Sequence, residues 1–121
     1  MNARHAALSL LFCLCLSPAL ASAQEPVTEC VSLGDDQEIV RGGDGEEVFL
    51  RNGDAHYRLG FSRNCGAVLM TRTITISTDD QADRLCPSGS KVRARQSTCQ
   101  IATVETITSD DFAKHKQRHR R

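Results

Sequence analysis

The chain has 121 residues, six cysteines and as many basic as acidic side chains. This length allows one domain and excludes a multidomain enzyme. Its apolar runs fall short of the roughly 20 residues that a membrane-spanning helix needs. These totals exclude classes of protein but indicate no activity.

Residues 1–23 have the pattern of a secretory signal peptide. A short basic start precedes an apolar run over residues 6–16 and Ala21-Ser22-Ala23, a small-x-small cleavage site. We expect cleavage near Ala23-Gln24, which leaves 98 residues in the periplasm or outside the cell. Residues 24–29 are expected to be a flexible leader.

Four cysteines remain after cleavage: Cys30, Cys65, Cys86 and Cys99. They form no Cys-x-x-Cys pair, so neither a thioredoxin-type redox centre nor a zinc ribbon is indicated. An even number of cysteines in a short exported chain predicts two disulfides.

Four cysteines allow three pairings, and the spacing only weakly favours one. Residues 90–95 and 99–104 are expected to form a hairpin, which leaves Cys86 too far along its strand to reach Cys99. We therefore favour the pairs Cys65–Cys86 and Cys30–Cys99, while the alternatives stay open.

The clearest local signal is a hairpin between residues 46–51 and 54–61. They flank Asn52-Gly53, a pair typical of type I′ turns. On one face this register predicts the pairs Leu50–Ala55 and Val48–Tyr57. On the other face it predicts Arg51–Asp54, Phe49–His56 and Glu47–Arg58.

Further strands are expected at residues 37–41, 69–76, 91–95 and 99–107. In the last of these, Ile101, Val104 and Ile107 recur every three positions, which predicts a β-bulge near Ala102 or Thr103. Residues 79–85 are expected to be a polar loop or a short helix.

Ser109-Asp110-Asp111 is expected to begin a short helix, with a capping hydroxyl and two acids near the positive end of the helix dipole. Phe112 would anchor it. The elements together predict a small, mostly-β antiparallel barrel or sandwich of five or six strands with a short C-terminal helix. The disulfide-bonded domain is expected to span residues 30–112.

Charge is divided unevenly along the chain. Residues 24–113 carry a formal charge of −6, whereas residues 114–121 carry +5. We expect residues 113–121 to be a disordered, solvated basic tail that could bind polyanions. A helical tail would let His115 and His119 face one metal ion, but the five neighbouring cations oppose this and we expect no metal site. The tail has no aromatic residue for base stacking, so nucleic acid is not an expected partner.

A catalytic centre needs a nucleophile or metal beside a positioned acid or base, and the sequence presents no such set. His56 is the one histidine between the signal and the tail, and the hairpin pattern places it on the surface. The glycine-rich run 42–45 lacks the Gly-Lys-Ser/Thr ending of a phosphate-binding loop. We predict no catalytic residue, no cofactor and no enzymatic activity.

The sequence resembles a family of small exported proteobacterial proteins with four cysteines and unknown function. The resemblance covers roughly residues 30–112. It is carried by Cys30, Asp36, the hairpin with Tyr57 and Leu59, Cys65, Leu85-Cys86 and Cys99-x-Ile101-x-x-Val104-x-x-Ile107. The chain departs from the family at Gly66, where relatives often have proline. The resemblance implies a compact disulfide-bonded β domain and no known activity.

These observations predict a noncatalytic, exported binding or accessory domain in the periplasm. Its partner would be an envelope protein or a polyanion, bound through the acidic side of the hairpin or through the basic tail. The alternative is a small inhibitor of an envelope protease or lysozyme, because disulfide-bonded β scaffolds can hold a rigid binding loop. Residues 78–84 and 43–46 are the candidates for such a loop.

Overall fold

A computed structural model describes residues 24–118, so the predicted signal at residues 1–23 lies outside the described part of the chain. The described residues contain ten strands: β1 (Glu25–Pro26), β2 (Val31–Ser32), β3 (Gln37–Arg41), β4 (Glu47–Asn52), β5 (Ala55–Phe61), β6 (Ile74–Thr78), β7 (Gln81–Ala82), β8 (Arg84–Leu85), β9 (Ser90–Ala94) and β10 (Ser97–Thr106). A turn of 3₁₀ helix spans Gly66–Leu69, and one α-helix, α1 (Ser109–Arg118), follows β10.

Seven of these strands form an antiparallel sheet in the order β3-β4-β5-β10-β9-β6-β7, and β1 pairs with the end of β10. Strands β2 and β8 form a separate two-stranded ribbon. The predicted fold class, a small mostly-β antiparallel domain with two disulfides and a short C-terminal helix, is confirmed. The main sheet has seven strands, more than the five or six predicted.

Strand β10 takes part in two ladders. Its first half pairs with β9, its second half pairs with β5, and the register shifts between Ile101 and Thr103. Ala102 is the extra residue, which confirms the predicted bulge. Opposite the bulge, a Cβ on Gly60 would lie 2.5 Å from Oγ1 of Thr103, so the close approach requires glycine at this position.

The sheet buries side chains on both of its faces. Ile101 and Val104 belong to the main core, whereas Ile107 belongs to a second cluster with Val40, Phe49 and Phe112. The spacing of three between Ile101 and Val104 comes from the bulge. The same spacing between Val104 and Ile107 comes from a change of face, because these two residues contribute to different cores.

The β4–β5 hairpin has the predicted faces but a different register. Asn52 pairs with Ala55, Leu50 with Tyr57 and Val48 with Leu59, so the two-residue loop is Gly53-Asp54 and the predicted Asn52-Gly53 loop is wrong. Gly53 has φ of 59°, as the first loop position of a type II′ turn requires.

The side chain of Asn52 explains this shift of register, because it forms hydrogen bonds to residues outside the turn. Its Oδ1 accepts a hydrogen bond from the Gly34 amide (2.9 Å), and its Nδ2 donates to the Ser32 carbonyl (3.1 Å). On the second face, Arg51 therefore lies opposite His56, and Phe49 lies opposite Arg58. A slip of two residues leaves each side chain on its predicted face.

Helix α1 is longer than predicted. Thr108 caps it, since its Oγ1 accepts a hydrogen bond from the Asp111 amide at 3.0 Å. The cap thus lies one residue before the expected Ser109. The helix continues to Arg118, so residues 114–118 are helical and the expectation of disorder is wrong there, although Lys114, Gln117 and Arg118 are exposed. Phe112 anchors the helix as predicted and is buried.

The two disulfides are Cys30–Cys86 and Cys65–Cys99, so the favoured pairs Cys65–Cys86 and Cys30–Cys99 are wrong. The β2–β8 ribbon pairs Val31 with Leu85, which brings Cys30 beside Cys86. Pairing of β5 with β10 places Phe61 opposite Ile101, and the loop after β5 then brings Cys65 to Cys99.

Candidate functional site

The acidic side of the hairpin, one of the two predicted binding surfaces, has several of its carboxylates paired with arginines of the same chain. Arg51 forms ion pairs with Asp36 (3.0 Å) and Glu38 (3.5 Å). Arg58 lies between Glu47 and Glu105 and forms an ion pair with each. The Arg58–Glu47 contact was expected from the sequence, although these residues are diagonal neighbours in the observed register.

The basic tail, the other predicted surface, is partly engaged with the domain. Lys116 lies 2.7 Å from a carboxylate oxygen of Glu38. The hydrogen bond from Lys116 and the nearby Arg51 hold the pKa of Glu38 below its usual value. The His115 ring stacks on Phe49 at 3.7 Å between centroids. His119 lies outside the described residues, and no group of three or more metal-ligating side chains occurs within residues 24–118.

His56 was considered for catalysis and the glycine-rich run for phosphate binding, and both form contacts within the folded domain. The His56 ring lies 5.2 Å from that of Phe112, so the helix partly covers it. In the glycine-rich run, Oδ1 of Asp44 accepts a hydrogen bond from the Glu46 amide. Asn64 Nδ2 donates to the Asp44 carbonyl at 2.6 Å, which ties the loop to the chain after β5.

A third surface, which the sequence interpretation did not identify, is an exposed row of cations on β9. Val92 and Ala94 of this strand are fully buried, so Lys91 and Arg93 point outward, and Arg95 follows in the turn to β10. We call these three cations the basic row. Alternate side chains on a strand are spaced by about 7 Å. Among residues 24–118, none of the three forms an ion pair.

The strands on either side of the basic row present neutral polar side chains. Arg93 lies opposite Thr98 on β10 and Thr75 on β6. Lys91 lies opposite Gln100 and Ser77. Because no acid stands in these flanking positions, the cations keep their charge available, and the hydroxyl and amide groups can donate hydrogen bonds to an anion.

Arg95 holds an unusual backbone conformation at the end of the basic row. Ala94 pairs with Ser97, so Arg95 and Gln96 form a two-residue loop, and Arg95 has φ of 58°. A left-handed conformation costs a residue with a side chain roughly 1–2 kcal/mol. Glycine would avoid this cost, so the arginine at this exposed tip is not explained by the turn.

Within the predicted loop 78–84, residues 79–83 are exposed and consist of a tight turn followed by the short strand β7 and Asp83. They form the exposed segment that the inhibitor hypothesis requires. Asp79 and Asp80 have φ of 52° and 61°, as a type I′ turn between β6 and β7 needs. The Asp83 amide donates to the Ile76 carbonyl, and the Asp83 carbonyl accepts from the Leu33 amide. The loop is therefore fixed, and the Cys30–Cys86 disulfide lies just after it.

Fold and surface together define a small disulfide-bonded β domain with an open basic row that forms no ion pair within residues 24–118. Comparisons with family models, with curated proteins and with solved structures found no match for this chain. The resemblance to small exported four-cysteine proteins therefore stays a prediction from the residues. The helix in the described residues is too short and too polar to span a bilayer.

Proposed function

We propose that the protein is an exported, noncatalytic binding domain whose basic row binds closely spaced phosphate or sulfate groups of an envelope polyanion. The observation that carries this proposal is the exposure of Lys91, Arg93 and Arg95 with no carboxylate partner in the described chain.

The proposed compartment is the periplasm, with signal cleavage near Ala23-Gln24. The sequence pattern of residues 1–23 supports export. Two disulfides in one small domain also support it, because such bonds persist in oxidising compartments. An envelope polyanion would be present in that same compartment.

A row of cations suits a polyanion better than a single small anion. One exposed ion pair contributes only about 0–1 kcal/mol. Several contacts at regular spacing add up when the anionic groups belong to one polymer or one surface. Since exposed charges are screened by salt, we expect the affinity to fall as ionic strength rises.

The test is the binding of the mature protein to heparin and to polyphosphate at physiological salt, measured by calorimetry. Replacing the basic row with Lys91→Gln, Arg93→Gln and Arg95→Asn should weaken binding about tenfold or more, which is about 1.4 kcal/mol. Asn is chosen at position 95 because it tolerates a positive φ.

A control removes the same charge from the tail, with Lys114→Gln, Arg118→Gln and Arg120→Gln. It should change the affinity by less than about threefold. A larger loss in the tail variant than in the basic-row variant would contradict the proposal and favour the tail as the binding segment. The absence of binding by the unmodified protein would also contradict it.

The second candidate function is inhibition of an envelope protease or lysozyme through residues 79–83. The fixed, exposed backbone of this loop is the observation that favours it, because a preorganised loop binds with little ordering cost. Asp79→Asn with Asp80→Gly keeps a type I′ turn and removes both carboxylates. An inhibitor should block a lysozyme or a serine protease at stoichiometric concentration, and this variant should lose the effect. A panel of such enzymes that the protein leaves fully active would contradict this candidate.

A further inference from the structure

Two large apolar side chains are left in solvent beside the end of the basic row. Leu69 is 43% exposed and Met70 is 70% exposed, and they are the exposed large apolar residues among those that the structure describes. Both lie where the 3₁₀ turn Gly66–Leu69 ends. Exposure of two adjacent large apolar side chains is unfavourable in water, so a partner that covers them would be bound more tightly.

The loop that carries these side chains is held firmly. The Arg41 guanidinium donates hydrogen bonds to the carbonyls of Val68 (2.6 Å), Thr71 (2.6 Å) and Arg72 (2.9 Å). Val68 is fully buried, and the Met70 amide donates to the Ala67 carbonyl. Leu69 and Met70 are therefore exposed by the fold of the loop.

A cleft joins this loop to the basic row. Its volume is about 550 Å³, and it lies between Ala67 and Met70 on one side and residues 94–97 on the other. Among the residues that the structure describes, Arg95 is the charged residue that lines it, and no carboxylate does. Arg72, which is exposed and forms no ion pair within residues 24–118, follows the loop closely. Apolar and cationic groups are thus presented at one end of the molecule.

We propose that this end of the protein docks on an anionic lipid surface. Leu69 and Met70 enter the interfacial region of the bilayer, and Arg72 and Arg95 contact lipid phosphates. The proposal rests on the proposed function, because the basic row supplies the remaining charges. Neither the apolar side chains nor the cations suffice alone, since stable attachment to a membrane surface generally needs apolar contact together with electrostatic attraction.

The first experiment is sedimentation of the mature protein with vesicles of equimolar phosphatidylcholine and phosphatidylglycerol, and with vesicles of phosphatidylcholine alone. Binding is expected to the anionic vesicles only. Leu69→Ser with Met70→Ser should lower the partition coefficient about tenfold or more, while heparin binding stays unchanged. The basic-row variant should lose both activities. Ala102→Ser with Ala113→Ser, at exposed positions elsewhere, is the matched control and should behave like the wild type.

The outcomes separate the two proposals. Unchanged vesicle binding by the Leu69→Ser, Met70→Ser variant overturns the lipid proposal and leaves the proposed function standing. Two results for the wild type also overturn the lipid proposal and leave the proposed function standing. In the first it binds heparin but no vesicle, and in the second it binds both kinds of vesicle equally. A wild type that binds neither heparin nor vesicles overturns both. A dimer in sedimentation velocity that the double serine variant abolishes would identify a second copy as the occupant and overturn the lipid proposal.

A second readout reports insertion directly. The chain contains no tryptophan, so Met70→Trp gives a single fluorophore at the proposed contact. Its emission should shift to the blue on anionic vesicles and be quenched by brominated lipids. Ala82→Trp, exposed on β7, is the control and should show neither change. Equal quenching at both positions, or at neither, contradicts insertion of the loop.

Discussion

In the part of the sheet formed by β3, β4 and β5, each arginine has a partner, whereas on β9 neither Lys91 nor Arg93 has one within residues 24–118. The first region is covered on its outer face by α1, which contacts β4 and β5. The second region is left open, with neutral side chains around its cations. The contrast indicates that charges in the covered region serve the fold, while charges in the open region are available to a partner.

The largest effect is expected from Phe112→Ala, which removes the side chain that seats α1 on the covered region. Truncation of a buried phenylalanine costs about 3–5 kcal/mol of unfolding free energy. Urea unfolding should show this loss. Met70→Ala, at an exposed position of the open region, should change the same quantity by less than about 0.5 kcal/mol. A loss below about 1 kcal/mol for Phe112→Ala would show that the helix contributes little to the covered region.

A smaller loss is expected when the chain is ended after Ala113. This removes the His115–Phe49 stack and the Lys116–Glu38 ion pair. We expect a loss of about 1–2 kcal/mol, and each kcal/mol lowers the melting temperature by about 4–8 °C in a domain of this size. A chain ended after Arg118 is the control and should melt like the full chain. If the shorter chain has the same melting temperature as the full chain, residues 114–121 contribute no stability, as expected of a disordered, solvated tail.

A pH dependence should follow from Glu38. Because Lys116 and Arg51 lower its pKa in the folded state, its ionised form stabilises the fold above the unfolded pKa. This contribution is lost as the pH falls through the folded pKa. Lys116→Gln should therefore reduce the decline of unfolding free energy between neutral and acidic pH. Lys114→Gln removes a charge that forms no ion pair in the described chain and should leave the pH profile unchanged. Equal profiles for all three proteins would exclude this linkage.

The smallest effect is expected from Lys91→Gln with Arg93→Gln. Neither side chain forms an ion pair with another described residue, so the unfolding free energy should change by less than about 0.5 kcal/mol. Arg51→Gln, which leaves Asp36 and Glu38 without their shared arginine, should cost more. If the two β9 substitutions destabilise the protein as much as Arg51→Gln, the cations of the open region have a structural role.

The faces of the strands were predictable because alternation along a strand fixes which side chains point together. Val48 and Leu50 could be assigned to the core from the sequence. The register could not be predicted, because a slip of two residues leaves every side chain on the same face. It depends on a contact distant in sequence, in which the Asn52 side chain forms hydrogen bonds to Ser32 and Gly34. The bulge was predictable because a change of phase is itself a sequence pattern.

The disulfide pairing depends on which strands are neighbours, and the sequence shows this poorly. β2 and β8 have two residues each, too few to produce a recognisable pattern, yet they bring Cys30 to Cys86. The predicted hairpin correctly excluded a disulfide between Cys86 and Cys99. It could not choose between the two pairings that remained.

The sequence predicts which way the side chains of the basic row point, but not whether they have ion-pair partners. The run Lys-Val-Arg-Ala-Arg over residues 91–95 alternates, and that pattern predicts outward cations. Whether they would be paired depends on Thr75, Ser77, Thr98 and Gln100, which become neighbours only through the strand order. In the acidic stretch before Asp54, strand pairing and α1 likewise supply cationic partners for Asp36, Glu38 and Glu47, which the sequence alone does not show.

The strand order has a consequence for self-association. An open sheet ends in two unpaired edges, which are templates for aggregation by strand addition. One edge here is β3, where Glu38 and Arg41 carry charges, and the other is β7, which has two residues. Charged or very short edge strands discourage pairing with another chain. A partner that adds an extended segment to the sheet is therefore disfavoured, and recognition is left to the side chains on its faces and at its rim.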